Sequence, residues 1–446
     1  MTEQFWDSWP GRQVRWRQRW LRTRRFRLAG EPRQKKSRGE LQHVVATQRS
    51  LLEELKLFHH NALTGPVALD LNFHVTTDQP PALYNLAKYL LDVLGPTHFE
   101  GQGRERRHVL YRDDRQVKLL YVHLSHPSIS DATVKTVDDG HTWLTARPLR
   151  DVLEDIRLVD ELEAATDGFS RWDDDDDCSP FHRPDIPDVD LSSMFDLDQA
   201  TSDEEAQRWA DLNRWFTLHE QSQLQEALLR NTDAQVACAL RQSPESIAGA
   251  RPQRRPLAEN AAFRSIYEDL NELHAQNRHT LLTNPINIPM PSLPRISGER
   301  KSFKANIRRE LEQWRARWPI FQPLLVPLKM TFLVIPSEQG GKDLDNLALE
   351  VLPLVHEVLR PQPTSWLLRF PLLTAEDRME DNRARSRLRF LGVNSVTAFE
   401  VIELQRRASD PSAGVLRLAL GSGSQIGSTW TRITNYAEHH MERISD

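Results

Sequence analysis

Cysteine is almost missing from this chain. Two thiols in 446 residues, Cys178 and Cys238, exclude a disulfide framework and a four-ligand zinc centre, and they fit a reducing compartment. Long apolar runs are missing too, since none approaches the ~18 residues that would suggest a membrane span. The first residues mix tryptophan and arginine where a signal peptide needs an unbroken apolar core. A large net charge is also absent, at -5 overall. These absences lead us to expect a soluble, cytoplasmic protein with no membrane partner. The length allows two to four domains.

The balanced total hides an uneven distribution. The first forty residues hold 12 Lys/Arg against 4 Asp/Glu, whereas 173–205 is strongly acidic. Residues 1–38 interleave tryptophan with arginine, including Arg15, Arg17, Arg19, Arg22, Arg24 and Arg25. Guanidinium groups neutralise phosphates and indoles offer stacking faces, so a nucleic-acid-binding arm is one reading. A solvated helix whose tryptophans dock on the body is the other. A further basic group, Arg104, Arg106 and Arg107, falls in an expected loop. Residues 166–205, with consecutive aspartates from Asp173 to Asp177, are expected to form a disordered linker or to mimic nucleic acid over a basic groove.

Hydrophobic periodicity divides the remainder. Residues 39–165 predict a helix through Leu41 and Leu57, a strand at 66–75 and a helix opening at Tyr84. A strand at 118–123, a short strand near Thr142 and a helix at 148–165 follow. Residues 206–283 read as helical. Residues 284–446 predict a Pro-rich extended start, a helix bearing Phe303 and Trp314, and a strand at 328–335. Next come an apolar helix that Pro353 should kink, a polar insertion at about 373–389, and strands at 395–404 and 415–420.

Between the 328–335 strand and its helix lies Lys342-Asp343-Leu344-Asp345-Asn346-Leu347. Two aspartates one residue apart at a loop–helix junction can aim both carboxylates at one hard cation. An Asx turn with an N-capping aspartate is the plain alternative. An altered copy lies earlier: Asn85-Leu86-Ala87 matches Asn346-Leu347-Ala348. The same order of helix, strand, polar loop, motif helix, loop and strand occurs in both halves, as in a covalently joined dimer.

Asp343-Leu-Asp345-Asn346-Leu ahead of an apolar helix, and Asp113-Asp114-Arg115-Gln116-Val117 at the start of a strand, resemble the RusA family of Holliday-junction resolvases. The resemblance covers about 40–165 and 285–430. It implies an α+β fold of two mixed-sheet units with packed helices, an internal pseudo-dimer joined by the acidic linker and the helical middle region. Further self-association stays open. It also implies cleavage of branched DNA with Mg²⁺ or Mn²⁺, and branched or duplex DNA as the partner. The C-terminal copy keeps Asp343, Asp345 and Asn346 but has Leu349 at the family's lysine position. The N-terminal copy keeps Asn85, Lys88, Asp113 and Asp114 but has Ala82 and Tyr84 where the paired aspartates should stand.

Transferred in this way, catalysis falls to Asp343, Asp345, Lys88 and Asp114. The three acids would hold metal, with Asn346, Asn85 and Asp113 in support, if the two copies pack with their motif ends adjacent. Asp377, Glu380 or Asp381 would supply a further carboxylate otherwise. Three functions follow: a structure-selective endonuclease, a catalytically weakened DNA-junction binder, and a helical interaction or regulatory protein.

Overall fold

The strands expected from alternation do form, and most are buried on both faces. In the computed structural model, which describes residues 5–6, 8–35, 40–98, 108–129, 139–165, 203–250, 287–289, 300–338, 344–361 and 375–443, they join in one mixed sheet. The first half contributes helix α1 (Trp9–Leu21), strand β1 (Arg24–Ala29), α2 (Glu40–Leu57), β2 (Val67–His74), α3 (Leu83–Leu94), β3 (Val117–Ser125), β4 (His141–Pro148) and α4 (Leu149–Ala165). A long helix, α5 (Asp203–Gln242), follows. The second half adds β5 (Asn287–Pro289), α6 (Arg300–Arg317), β6 (Leu328–Ile335), α7 (Leu344–Leu359), α8 (Ala375–Val393), β7 (Val396–Glu403), β8 (Val415–Ser422) and α9 (Thr429–Arg443).

The sheet order is β1-β4-β2-β3-β7-β6-β8-β5. β2–β3 and β6–β7 pair in parallel, and every other neighbouring pair is antiparallel. The second half therefore repeats the pairings of the first in reverse. A register irregularity recurs as well, at Val67/Ala68 against β3 and at Leu328/Lys329 against β7. The antiparallel β3–β7 ladder joins the halves, with Tyr121 opposite Glu400.

Period-two alternation sends neighbouring side chains to opposite faces. Leu69, Leu120, Phe332 and Phe399 meet α2, α3, α6 and α7 on one face. Leu119, Tyr121, Leu333 and Ile402 meet α1, α4, α5 and α9 on the other. The sheet is thus a middle layer between two helical ones, α+β as expected. Among the described residues, no helix is long and apolar enough to cross a membrane.

Four elements depart from the sequence reading. Arg24–Ala29, expected within an arm, is an edge strand paired with β4. Its arginines alternate with Phe26 and Leu28, and that alternation is the strand signal. The polar insertion is helical over Ala375–Val393. α7 runs through Pro353 without interruption from Leu344 to Leu359. The C-terminal helix α9 had not been expected. Of the expected linker at 166–205, residues 166–202 lie outside the described residues, and 203–205 already belong to α5.

One charged group breaks the apolar pattern of β6. Lys329 is 1% exposed, with Nζ 2.5 Å from Asp233 of α5 and 3.4 Å from Glu400 of β7. Breaking a buried ion pair by removing one partner strands the other charge, at a cost of about 3–5 kcal/mol. We expect Lys329→Met to lose about that much in urea unfolding, and Lys329→Met/Asp233→Leu to recover part of it. A single variant as stable as the parent would contradict this role.

Candidate functional site

Strand directions decide which motif residues meet. β3 starts where β7 ends, as the ion pair between Lys118 Nζ and Glu403 Oε1 at 2.8 Å marks. β6 runs parallel to β7, so its C-terminus reaches that same end. α7 then travels back along the sheet, because His356 near its C-terminus accepts the Ser395 N–H at 3.2 Å, just before β7. Burial lowers the His356 pKa, in keeping with a neutral acceptor ring. The first turn of α7, with Leu344, Asp345 and Asn346, therefore lies at the end of the sheet where β3 begins.

Asp113 and Asp114 stand at this end, immediately before β3. They belong to a single 3₁₀ turn, Asp114–Gln116. Asp113 Oδ1 accepts the Arg115 N–H at 2.9 Å, while Gln116 Oε1 accepts the N–H groups of Arg112 (2.8 Å) and Asp113 (3.2 Å). This capping box satisfies the orphan donors of the turn. The Arg115 N–H also holds the Asp113 carboxyl below the usual range. Gln116 Nε2 donates to Leu63 O at 3.1 Å and Gly65 O at 2.9 Å, anchoring the turn beneath β2. Asp113 and Gln116 thus have structural work within the turn. Both aspartates line a cavity of about 770 Å³ beside α3, together with Asp92, Lys35 and His98.

α3 runs opposite to α7, and the two helices pack on each other. The C-terminus of α3 reaches the Asp114 end, where the Leu110 N–H donates to Leu94 O at 2.9 Å. Lys88 sits midway along α3, about 9 Å from that terminus at 1.5 Å per residue. Its Nζ lies 3.4 Å from Asp92 Oδ1, and Lys35 approaches the other oxygen of Asp92 at 3.6 Å. Asn85 donates to Gln34 Oε1 at 3.4 Å. The topology therefore brings the α7 start and Asp114 to one end of the sheet and leaves Lys88 between the ends. Asp343, and the side chain of Asp345, lie outside the described residues, as do the side chains of Asp377, Glu380 and Asp381.

The opposite end carries the second junction of motif helix and strand. There α3 begins after Ala82, which offers no side-chain cap, and Asn394 Nδ2 donates to Pro80 O at 3.4 Å. α8 closes over it, with Phe390 stacked on His126 at 4.6 Å. The two halves present different chemistry at equivalent places. Among the described residues, no group of three or more His, Cys, Asp or Glu side chains is placed to hold a metal ion. Asp113 and Asp114 are carboxylates, which suit a hard cation such as Mg²⁺ rather than zinc.

The N-terminal arginines are largely engaged within the protein. Arg19 Nε donates to Asp155 at 2.6 Å, and Arg147 pairs with the same carboxylate. Arg22 forks onto Asp151 at 2.7 and 2.9 Å. Arg25 lies over the Trp20 ring at 3.7 Å, and Arg15 donates to Trp6 O at 2.6 Å. Arg24 bonds the Asn61 and Arg22 carbonyls. Trp16 is buried against α4 in the second core. The docked-helix reading of this segment describes the observed packing. Arg17 lies on the same helix, whereas Arg104, Arg106 and Arg107 fall outside the described residues.

Sequence reasoning missed a buried polar row across the sheet centre. Asp70, Tyr121, Glu400 and Thr331 are consecutive partners on β2, β3, β7 and β6. The start of α9 caps it: Thr429 gives Glu400 its N–H at 2.9 Å and its hydroxyl at 2.6 Å, and Thr431 Oγ1 donates to Asp70 at 3.2 Å. A helix N-terminus favours such carboxylates. The signal was present as single charged residues inside apolar strands: Asp70 between Leu69 and Leu71, Glu400 between Phe399 and Val401.

Burial pushes the Asp70 carboxyl up to about 7, against hydrogen bonds from Thr431 and Asn72, and pushes the His123 imidazole down to about 4. From about 3.8 to 7 folded Asp70 holds a proton that the unfolded chain has released, so its contribution to stability falls as pH rises. His123 works oppositely: the unfolded imidazole is protonated below 6.5, so its contribution is lost as pH falls towards 4. Asp70→Asn retains the neutral shape. Its melting temperature, relative to the parent, should climb from pH 4 to pH 7 and then level off. A difference independent of pH would contradict the assignment.

No protein-family model matches this chain, and no curated protein and no solved structure shows significant similarity to it.

Proposed function

We propose that the protein is a metal-dependent, structure-selective DNA endonuclease of RusA-like type, built as an internal pseudo-dimer that acts on branched DNA. One observation carries the reading. The antiparallel β3–β7 ladder brings the start of α7, with the backbone of Leu344, Asp345 and Asn346, to the end of the sheet that bears Asp114, which supports this reading. The reversed sheet order and the repeated register irregularity support two copies of one unit related by a pseudo-two-fold through Tyr121 and Glu400.

Asp343, Asp345 and Asp114 would hold Mg²⁺ or Mn²⁺, which supplies an activated water and neutralises charge on the scissile phosphate. Asp113 and Gln116 fix the turn that presents Asp114. Asn346, in the first turn of α7, would orient the neighbouring acids, and Asn85 occupies the matching place on α3. Lys88, on the helix packed against α7, pairs with Asp92 between the two ends and would contribute positive charge to a phosphate at a distance rather than contact it.

The opposite end favours a weakened enzyme as the second reading. It has Ala82 and Tyr84 where the acids would stand, and α7 has Leu349 where a lysine would stand. One acid-bearing end predicts one incision per binding event, not paired cuts in opposed strands. Junctions with each strand separately labelled should be nicked in Mg²⁺ or Mn²⁺. Asp345→Asn and Asp114→Asn should each slow nicking about 100-fold or more while binding persists. Symmetric paired cleavage, or full activity in either variant, would overturn the single composite site. Binding without a cut in any metal would establish the weakened form.

A further inference from the structure

A second cavity, of about 730 Å³, opens at the same end of the sheet as Asp114. Its floor includes Pro66 and Pro148, at the paired N-terminal end of β2 and C-terminal end of β4. The segment that separates it from the Asp113–Gln116 turn is the one Gln116 anchors through the Leu63 and Gly65 carbonyls.

Arginines dominate its polar lining: Arg22, Arg24, Arg150 and Arg157, with Glu154 the only acid among the described lining residues. The carboxylates within reach are shared out. Asp151 accepts both prongs of Arg22 and lies 3.6 Å from Arg150. Glu154 takes Arg157 Nη1 at 3.1 Å. Arg24, 9% exposed, directs its guanidinium donors at the Asn61 and Arg22 carbonyls. Arg157 Nη2 is buried with no hydrogen-bond partner. Four guanidiniums against two carboxylates leave an excess of two positive charges around a space large enough for a phosphate ester. An unsatisfied buried donor is costly, about 1–3 kcal/mol, more for a charged group, unless a ligand or water meets it. Guanidinium forks match the paired oxygens of phosphate.

We propose that this cavity is an oxyanion site that takes a phosphate group, held chiefly by Arg157 and Arg150 with Arg24 supplying fixed positive charge beneath. The phosphate comes either from a nucleic-acid backbone or from a free phosphate compound. The site itself stands on the cavity and its arginines; the nucleic-acid source alone rests on the proposed endonuclease function.

The test uses the full chain, with Arg150→Gln, at an exposed side chain, and Arg157→Gln, checked by Arg157→Lys. Inorganic phosphate is titrated calorimetrically and its effect on thermal unfolding is compared with chloride at matched ionic strength. We expect phosphate to raise the parent's melting temperature beyond chloride, and each Gln variant to bind phosphate about tenfold more weakly, as the loss of one charge-assisted bond would give. Arg157→Lys, which retains the charge but not the fork, should fall between. Duplex and branched DNA then identify the source. A backbone phosphate requires that both Gln variants weaken DNA binding and reduce its salt slope by about one, with phosphate as competitor. A free phosphate compound requires unchanged DNA binding and lost phosphate binding. Equal effects of phosphate and chloride on the parent, or parent-like phosphate affinity in both Gln variants, would overturn the site. Absence of DNA cleavage would leave it standing.

Discussion

The antiparallel pairing of β3 with β7 is the constraint on which the rest depends. It merges the two halves into one sheet and places Tyr121 against Glu400 at the centre. Register there is held by chemistry as well as by the ladder. Slipping either strand by one residue would send Glu400 into the apolar face shared by α3 and α7 and strand the Lys329 ammonium. Lys329 and the first turn of α9 together offset the burial of that carboxylate. The join is polar at its core and apolar on either side, which favours one alignment over its neighbours.

Geometry at the sheet ends follows from that alignment. Two parallel pairs, run against each other, bring the motif helix of one half to the strand-start turn of the other. In a symmetric assembly both ends would be equivalent. In this chain they are unlike, with Asp113 and Asp114 at one end and Ala82 and Tyr84 at the other. Around the acidic end, the Asp113–Gln116 turn and the arginine-lined cavity share the short segment from Leu63 to Pro66. A phosphate chain crossing this end would meet fixed positive charge on one side and hard oxygen donors on the other.

Much of the fold was legible because β2 alternates, β3, β6, β7 and β8 are short runs rich in apolar residues, and α2, α3 and α7 carry apolar stripes. The duplicated order was readable from the same patterns. What escaped had competing signals. Arg24, Arg25 and Arg27 drew attention as charge, although Phe26 and Leu28 between them mark an edge strand. In α8 polar residues dominate, so helical spacing is faint until Phe390 and Leu391 at its end. Pro353 marks a kink or restart in the sequence, and α7 continues through it without a restart, packed by α3, α6 and β7. The site was legible as residue types, but which acids share an end depends on strand direction, and no local pattern encodes that. Asp70 and Glu400 were overlooked because single acids in apolar strands become a network only once the strands are aligned.

Metal binding tests the composite site most directly, independently of any cleavage. Titration of Mn²⁺ into the intact protein, followed by the loss of its free-ion paramagnetic resonance signal, should reveal a bound ion. The account requires that Asp345→Ala and Asp114→Ala each remove the same ion, although these residues are more than two hundred positions apart in the chain. Retention of parent-like Mn²⁺ binding in Asp114→Ala, with loss only in Asp345→Ala, would contradict it.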